Sequence, residues 1–107
     1  MTQRVKMADG VELAVDVHGE GAPVLLVHGL GFTRKKWTAQ VDALVAAGCR
    51  VLTFDLRGFG DSQLPDHPYT IETLAEDIET IRQATGFQDF HLVGHSLGGM
   101  VALQYAL

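Results

Sequence analysis

Three short apolar runs constrain this chain more than anything else in it: "VLLV" at Val24–Val27, "RVLTFD" at Arg50–Asp55 and "FHLVG" at Phe90–Gly94. Each is too short for a helix and too continuous for a strand with one wet face, so each reads as a strand covered on both sides. Helical periodicity follows every one of them. From about Arg34 to Ala47, Trp37, Val41, Leu44 and Val45 share a face, with Thr33 as N-cap and Gly48 just past the end. From Ile71 to Thr85 the stripe is Ile71, Leu74, Ala75, Ile78 and Ile81, entered at Thr70 and closed by Gly86. The last run, Leu97 to Leu107, is apolar nearly all round and wants cover from several neighbours.

Alternation of this kind implies parallel strands joined by right-handed crossovers, with ligands at the carboxyl ends of the strands. The N-terminus departs from it. Val5 and Met7, then Val11, Leu13, Val15 and Val17, alternate with their neighbours about a turn at Ala8–Gly10, which reads as an antiparallel, one-sided hairpin. The expected fold is therefore α/β: a three-layer sandwich whose mostly parallel sheet is preceded by an antiparallel N-terminal hairpin, in one domain over residues 1–107.

Composition narrows the partners. A net charge of -5 disfavours nucleic acid and anionic membrane surfaces, and no run approaches the roughly eighteen apolar residues of a membrane span. The first fifteen residues lack the apolar core of a secretory signal, and the single cysteine, Cys49, has neither a disulfide partner nor metal-ligand spacing around it. A cytoplasmic protein without metal or cofactor is the expectation.

The chemistry concentrates at strand ends. Ser96 stands in Gly94-His95-Ser96-Leu97-Gly98, a G-x-S-x-G between a strand and a helix. Glycines at 94 and 98 let neighbouring backbone pass closely, while Ser96 is held strained with its hydroxyl raised above the sheet. The Leu97 N–H, at the positive end of the following helix, faces any negative oxygen forming there. At the end of the first parallel strand, His28-Gly29-Leu30-Gly31 can aim the Leu30 N–H at the same oxygen. Gly29 and Gly31 also begin a dinucleotide fingerprint, but Arg34 occupies its third glycine position, where a side chain would block helix packing; that reading is rejected.

These segments together resemble the N-terminal half of the α/β-hydrolase superfamily. The likeness rests on "VHGLG" (Val27–Gly31), Trp37, "FDLRGFGDS" (Phe54–Ser62), "YTIETLAEDI" (Tyr69–Ile78) and "VGHSLGGMVAL" (Val93–Leu103), in the family's order and spacing. It is nearest to the small esterase, lactonase and haloperoxidase-like members. The resemblance implies a serine hydrolase without a cofactor, acting on small esters, in which Ser96 forms an acyl-enzyme and Leu30 and Leu97 supply the oxyanion-hole N–H groups. It implies supporting roles for His28, Gly29, Gly94, His95 and Gly98, with His95 packed under the turn, and structural roles for Asp55 and Arg57. Carbon–carbon bond hydrolases and perhydrolases share the same turn.

In that family the acid and the histidine follow the serine, well beyond the turn. Of the five histidines, His18, His28, His67, His91 and His95, none fits the base position, though His28 is the nearest candidate for a substitute. A truncated and catalytically crippled hydrolase is expected. Self-association, as a homodimer or larger assembly, through an exposed sheet edge and the apolar last helix is expected of it. The alternative is a non-catalytic half-domain acting as a folding or self-assembly unit. Glu72, Glu76, Asp77 and Glu79 read as a solvated helix face, and Phe32, Phe59 and Trp37 as pocket or core.

Overall fold

The computed structural model describes residues 2–107. Thr2–Lys6 (β1) and Glu12–His18 (β2) form the hairpin, antiparallel with Val5 opposite Leu13. Ala22–Val27 (β3), Cys49–Phe54 (β4) and His91–Gly94 (β5) are mutually parallel: Val24 of β3 lies between Val51 of β4 and His91 of β5. β2 joins β4 antiparallel, so the sheet runs β1-β2-β4-β3-β5.

Side chains along a strand alternate between faces, and here each face has its own cover. Val24, Leu26 and Val51 meet Trp37 and Val41, the latter on the helix Thr38–Ala46 (α1). Leu25, Val27, Leu52 and Phe54, with Leu13 and Val15 of the hairpin, meet Leu74, Ile78 and Ile81 of Ile71–Thr85 (α2) and Val101 of Leu97–Ala106 (α3). The three layers are α1, the sheet, and the pair α2 and α3.

The bounds of α2 are those its spacing predicts. Thr70 and Thr73 cap reciprocally: the Thr73 N–H donates to Thr70 Oγ1 at 3.3 Å, and the Thr70 N–H donates to Thr73 Oγ1 at 3.2 Å. Tyr105 ties α3 to α2 by donating its hydroxyl to Glu79 Oε1 at 2.7 Å.

Three expectations need correction. The helix expected from Arg34 is a 3₁₀ turn over Arg34–Trp37 before α1 begins, capped by Thr33 and followed by Thr38, whose hydroxyl donates to the Lys35 carbonyl at 2.7 Å. The tighter turn keeps Arg34 directed inward at the carboxylates of Asp16, Asp55 and Asp61. β5 is not buried on both faces: it is an edge strand, with His91 exposed and Val93 at 42% exposure. Nor is β2 one-sided, because Leu13, Ala14 and Val15 are all buried. Ala14 is covered by the loop after β4, whose Ser62 hydroxyl accepts the Ala14 N–H at 2.9 Å and whose Asp55 N–H donates to the Ala14 carbonyl at 3.1 Å.

Candidate active site

Ser96 sits where β5 turns into α3, with φ +58° and ψ -116°; among the described residues it is the one non-glycine with positive φ. For a side chain with Cβ this is a costly backbone, of order 1–3 kcal/mol, held only because the surroundings determine it. Those surroundings are three close approaches. A Cβ at Gly94 would run into the Gly98 carbonyl, and one at Gly98 into the Val27 and His28 carbonyl oxygens at the end of β3. A Cβ at Gly29 would lie 2.8 Å from the His95 carbonyl oxygen and 3.1 Å from Ser96 Cβ. The loop after β3 therefore presses directly against the serine, as two facing turns at the ends of paired strands must.

Two backbone donors of this junction are free. Neither the Leu30 N–H nor the Leu97 N–H has a hydrogen-bond acceptor among the described residues. The next N–H groups of α3 are occupied: Gly98 donates to His95 and Gly99 to Ser96, both at 2.9 Å. Leu97 is the first residue of α3, so its N–H is one of the groups a helix start leaves unpaired. Ser96 is exposed, and it borders an open apolar groove with Leu92, Met100 and Leu103.

His28 is fully buried behind the loop, and its two nitrogens are committed. The Leu56 N–H donates to Nε2 at 2.9 Å, which leaves Nδ1 protonated and donating to the Gly29 carbonyl at 2.8 Å. Burial pushes its pKa below the ordinary value, against the pull of the Gly29 carbonyl and the Asp55 charge. A ring whose acceptor nitrogen is already bonded cannot also take a proton from serine, so the substitute-base role is not supported. His95, expected to pack under the turn, is instead exposed on its surface, edge-on to the Phe32 ring at 5.8 Å. The bulky Phe32 side chain beside the loop is what receives it.

Of the aromatic candidates, Trp37 is buried under α1, and Phe59 packs into the larger core and edge-on to His28 at 5.4 Å. Only Phe32, at 45% exposure, stays at the serine's rim beside Leu30 at 69%.

The loop after β4 is held by charge, with Asp55 and Arg57 each paired to a different partner. Asp55, fully buried, accepts the backbone N–H groups of Arg34 at 2.6 Å and Asp61 at 2.8 Å, and its carboxylate pairs with the Arg34 guanidinium. Arg34 also donates to Asp16 at 2.8 Å and Asp61 at 3.1 Å. Burial opposes its charge, but the Asp16, Asp55 and Asp61 carboxylates outweigh that and hold it protonated above its ordinary pKa. Arg57 pairs not with Asp55 but with Asp77 of α2, through Nε at 2.8 Å and Nη2 at 2.7 Å, and with Asp9 of the hairpin turn at 2.7 Å. Asp77 is thus no surface residue: it is 3% exposed, and burial lifts its pKa against the pull of Arg57.

Among the described residues no cluster of histidine, cysteine and carboxylates could hold a metal ion, and no helix is long and apolar enough to cross a membrane.

Known proteins are similar to this chain in sequence and in fold. The chain is 46% identical over 98 residues to "Putative carbamate hydrolase RutD" of Variovorax paradoxus, a match covering 89% of this chain and 37% of that protein. Among solved structures, an esterase from Exiguobacterium antarcticum superposes with a TM-score of 0.94 at 32% identity, covering 98% of this chain and 39% of that one. A bromoperoxidase from Bacillus anthracis superposes with a TM-score of 0.92 at 37% identity, covering 98% of this chain and 38% of that one. The chain thus spans well under half the length of each. The family described as the alpha/beta hydrolase fold matches residues 22–107, from β3 through the serine turn to the end of α3, and the chain belongs to it.

Proposed function

We propose that this chain carries the nucleophile and oxyanion hole of a serine hydrolase that transfers the acyl group of small carboxylic esters to water. Ser96 Oγ attacks the ester carbonyl carbon as its proton passes to a base, and the Leu30 and Leu97 N–H groups receive the negative oxygen. Expulsion of the alcohol leaves an acyl-serine, which water then cleaves. The observation that carries this reading is the strained, exposed Ser96 at the start of α3, with Gly29 pressed against it and two unspent backbone donors nearby.

On this reading the chain by itself is crippled in turnover, because the His28 acceptor nitrogen is spent on Leu56 and His95 turns to Phe32. No cofactor takes part, and the chain works in the cytoplasm without nucleic acid or membrane. The test is treatment with a fluorophosphonate followed by intact-mass analysis. Wild type gains one adduct, slowly because only the oxyanion-hole donors assist the attack, and Ser96→Ala none; a wild type still unlabelled after prolonged treatment, or a labelled variant, counts against the proposal.

One observation favours a second reading, a half-domain that assembles with itself. Val93, Met100, Leu103 and Leu107 are 42%, 60%, 71% and 99% exposed along the β5 edge and α3. From Phe90 to Leu107 there is no acidic residue, lysine or arginine to oppose apolar contact. Sedimentation at micromolar concentration reads dimers or larger species on this reading, and a strict monomer removes it.

A further inference from the structure

Arg34, Lys35 and Lys36 place three of the chain's eight basic residues in succession just after the loop that faces Ser96. Their surroundings differ. Arg34 is consumed by Asp16, Asp55 and Asp61, and Lys35 lies beside Asp16 and Asp42 at the rim of a separate surface pocket. Lys36 has no carboxylate partner and no side-chain hydrogen bond among the described residues. It is held instead by two aromatic faces, with Nζ 4.6 Å from the Phe32 centroid and 4.8 Å from that of Trp37.

Phe32 connects this ammonium to the serine. One side of its ring meets the His95 ring, whose residue directly precedes Ser96, and Lys36 stands over its face. Cation–π contact fixes where the ammonium sits while leaving its N–H groups without an acceptor. The result is a positioned positive charge without a carboxylate partner, on a chain of net charge -5, linked to the residue before Ser96 through the Phe32 and His95 rings.

We propose that Lys36 selects esters bearing a second, anionic carboxylate, which it pairs with while the ester group lies at Ser96 and the intervening methylenes lie on Phe32 and Leu30. This rests on the reading of the Ser96 junction as a substrate site, but its test does not need the serine to react. Isotope-labelled protein is titrated at low salt with monomethyl glutarate, an anion, and with dimethyl glutarate, its neutral counterpart, following the amide resonances of Gly29–Gly31 and His95–Leu97.

The monoester is expected to bind about threefold to fivefold more tightly, the upper part of the range for one partly exposed ion pair. The preference disappears in Lys36→Gln, is retained in Lys36→Arg, and weakens as salt is raised. Unchanged dispersion of the remaining resonances shows that Lys36→Gln is folded. Equal affinity for the two esters, a preference that survives Lys36→Gln, or failure of either ester to shift these amides overturns the proposal. Should the preference hold while the fluorophosphonate leaves Ser96 unmodified, the carboxylate site stands and the nucleophile assignment falls.

Discussion

Replacing Asp77 by asparagine isolates the energetics of the loop that follows β4. Arg57 is 1% exposed and Asp77 3%, and two of the three Arg57 hydrogen bonds end on the Asp77 carboxylate at 2.7 and 2.8 Å. Removing one charge from such a pair leaves the other buried without compensation, at a cost of about 3–5 kcal/mol. Asp9 still accepts from Nη1 at 2.7 Å, so the lower end, about 3 kcal/mol, applies. Against a total stability on the order of 5–15 kcal/mol this is a large fraction. The assay is urea unfolding followed by fluorescence of the single tryptophan, buried Trp37, with helical circular dichroism as a second probe. The double variant Arg57→Met, Asp77→Leu removes both charges and fills the space with apolar atoms, and it is expected to return within about 1 kcal/mol of wild type. A loss below about 1 kcal/mol in Asp77→Asn, or a double variant weaker than the single one, refutes the argument that an abandoned buried charge dominates.

Ser96→Gly relieves the positive φ and is expected to raise stability by about 1 kcal/mol in the same unfolding assay while abolishing fluorophosphonate labelling; a loss of stability means the turn is not strained. Acid should loosen the charge ties. The Arg57 hydrogen bond holds Asp9 at about 2, down from 3.8, and Arg82 holds Glu79 at about 2, down from 4.5. With folded values below unfolded ones, the unfolded chain binds more protons between about pH 4.5 and 2, so this stability is complete above that window and drains away as pH falls through it. Urea midpoints measured from pH 6 to 2 should fall accordingly, with a flatter acid limb in Asp9→Ala; an identical limb in that variant refutes the assignment to Asp9.

What local chemistry dictates could be read without coordinates. The limits of α2 follow from Thr70 and Gly86, and the alternation of strand and helix follows from the apolar runs. The serine turn was legible because its glycines answer to steric limits within a few residues. What depends on a distant partner was not. A helical wheel places Asp77 opposite the apolar stripe, and nothing within α2 reveals that Arg57, twenty residues earlier, folds over it. The 3₁₀ turn at Arg34 answers to Asp16, Asp55 and Asp61, and the outward His95 answers to Phe32, all from other segments. Lys36 is not legible in the sequence, because an unpaired lysine in a basic run is like any surface lysine until the fold places its two rings around it.

The sheet separates two unequal interiors. Among the described residues the apolar cluster on the α1 side holds five buried residues and that on the other side fifteen, so detaching α1 exposes far less oily surface than detaching α2 and α3. The cheapest partial opening of this molecule is therefore at α1, and the segment leading into α1 is the one bearing Leu30, Phe32 and Lys36. Warming should blur recognition at the serine's rim well before the body of the domain melts.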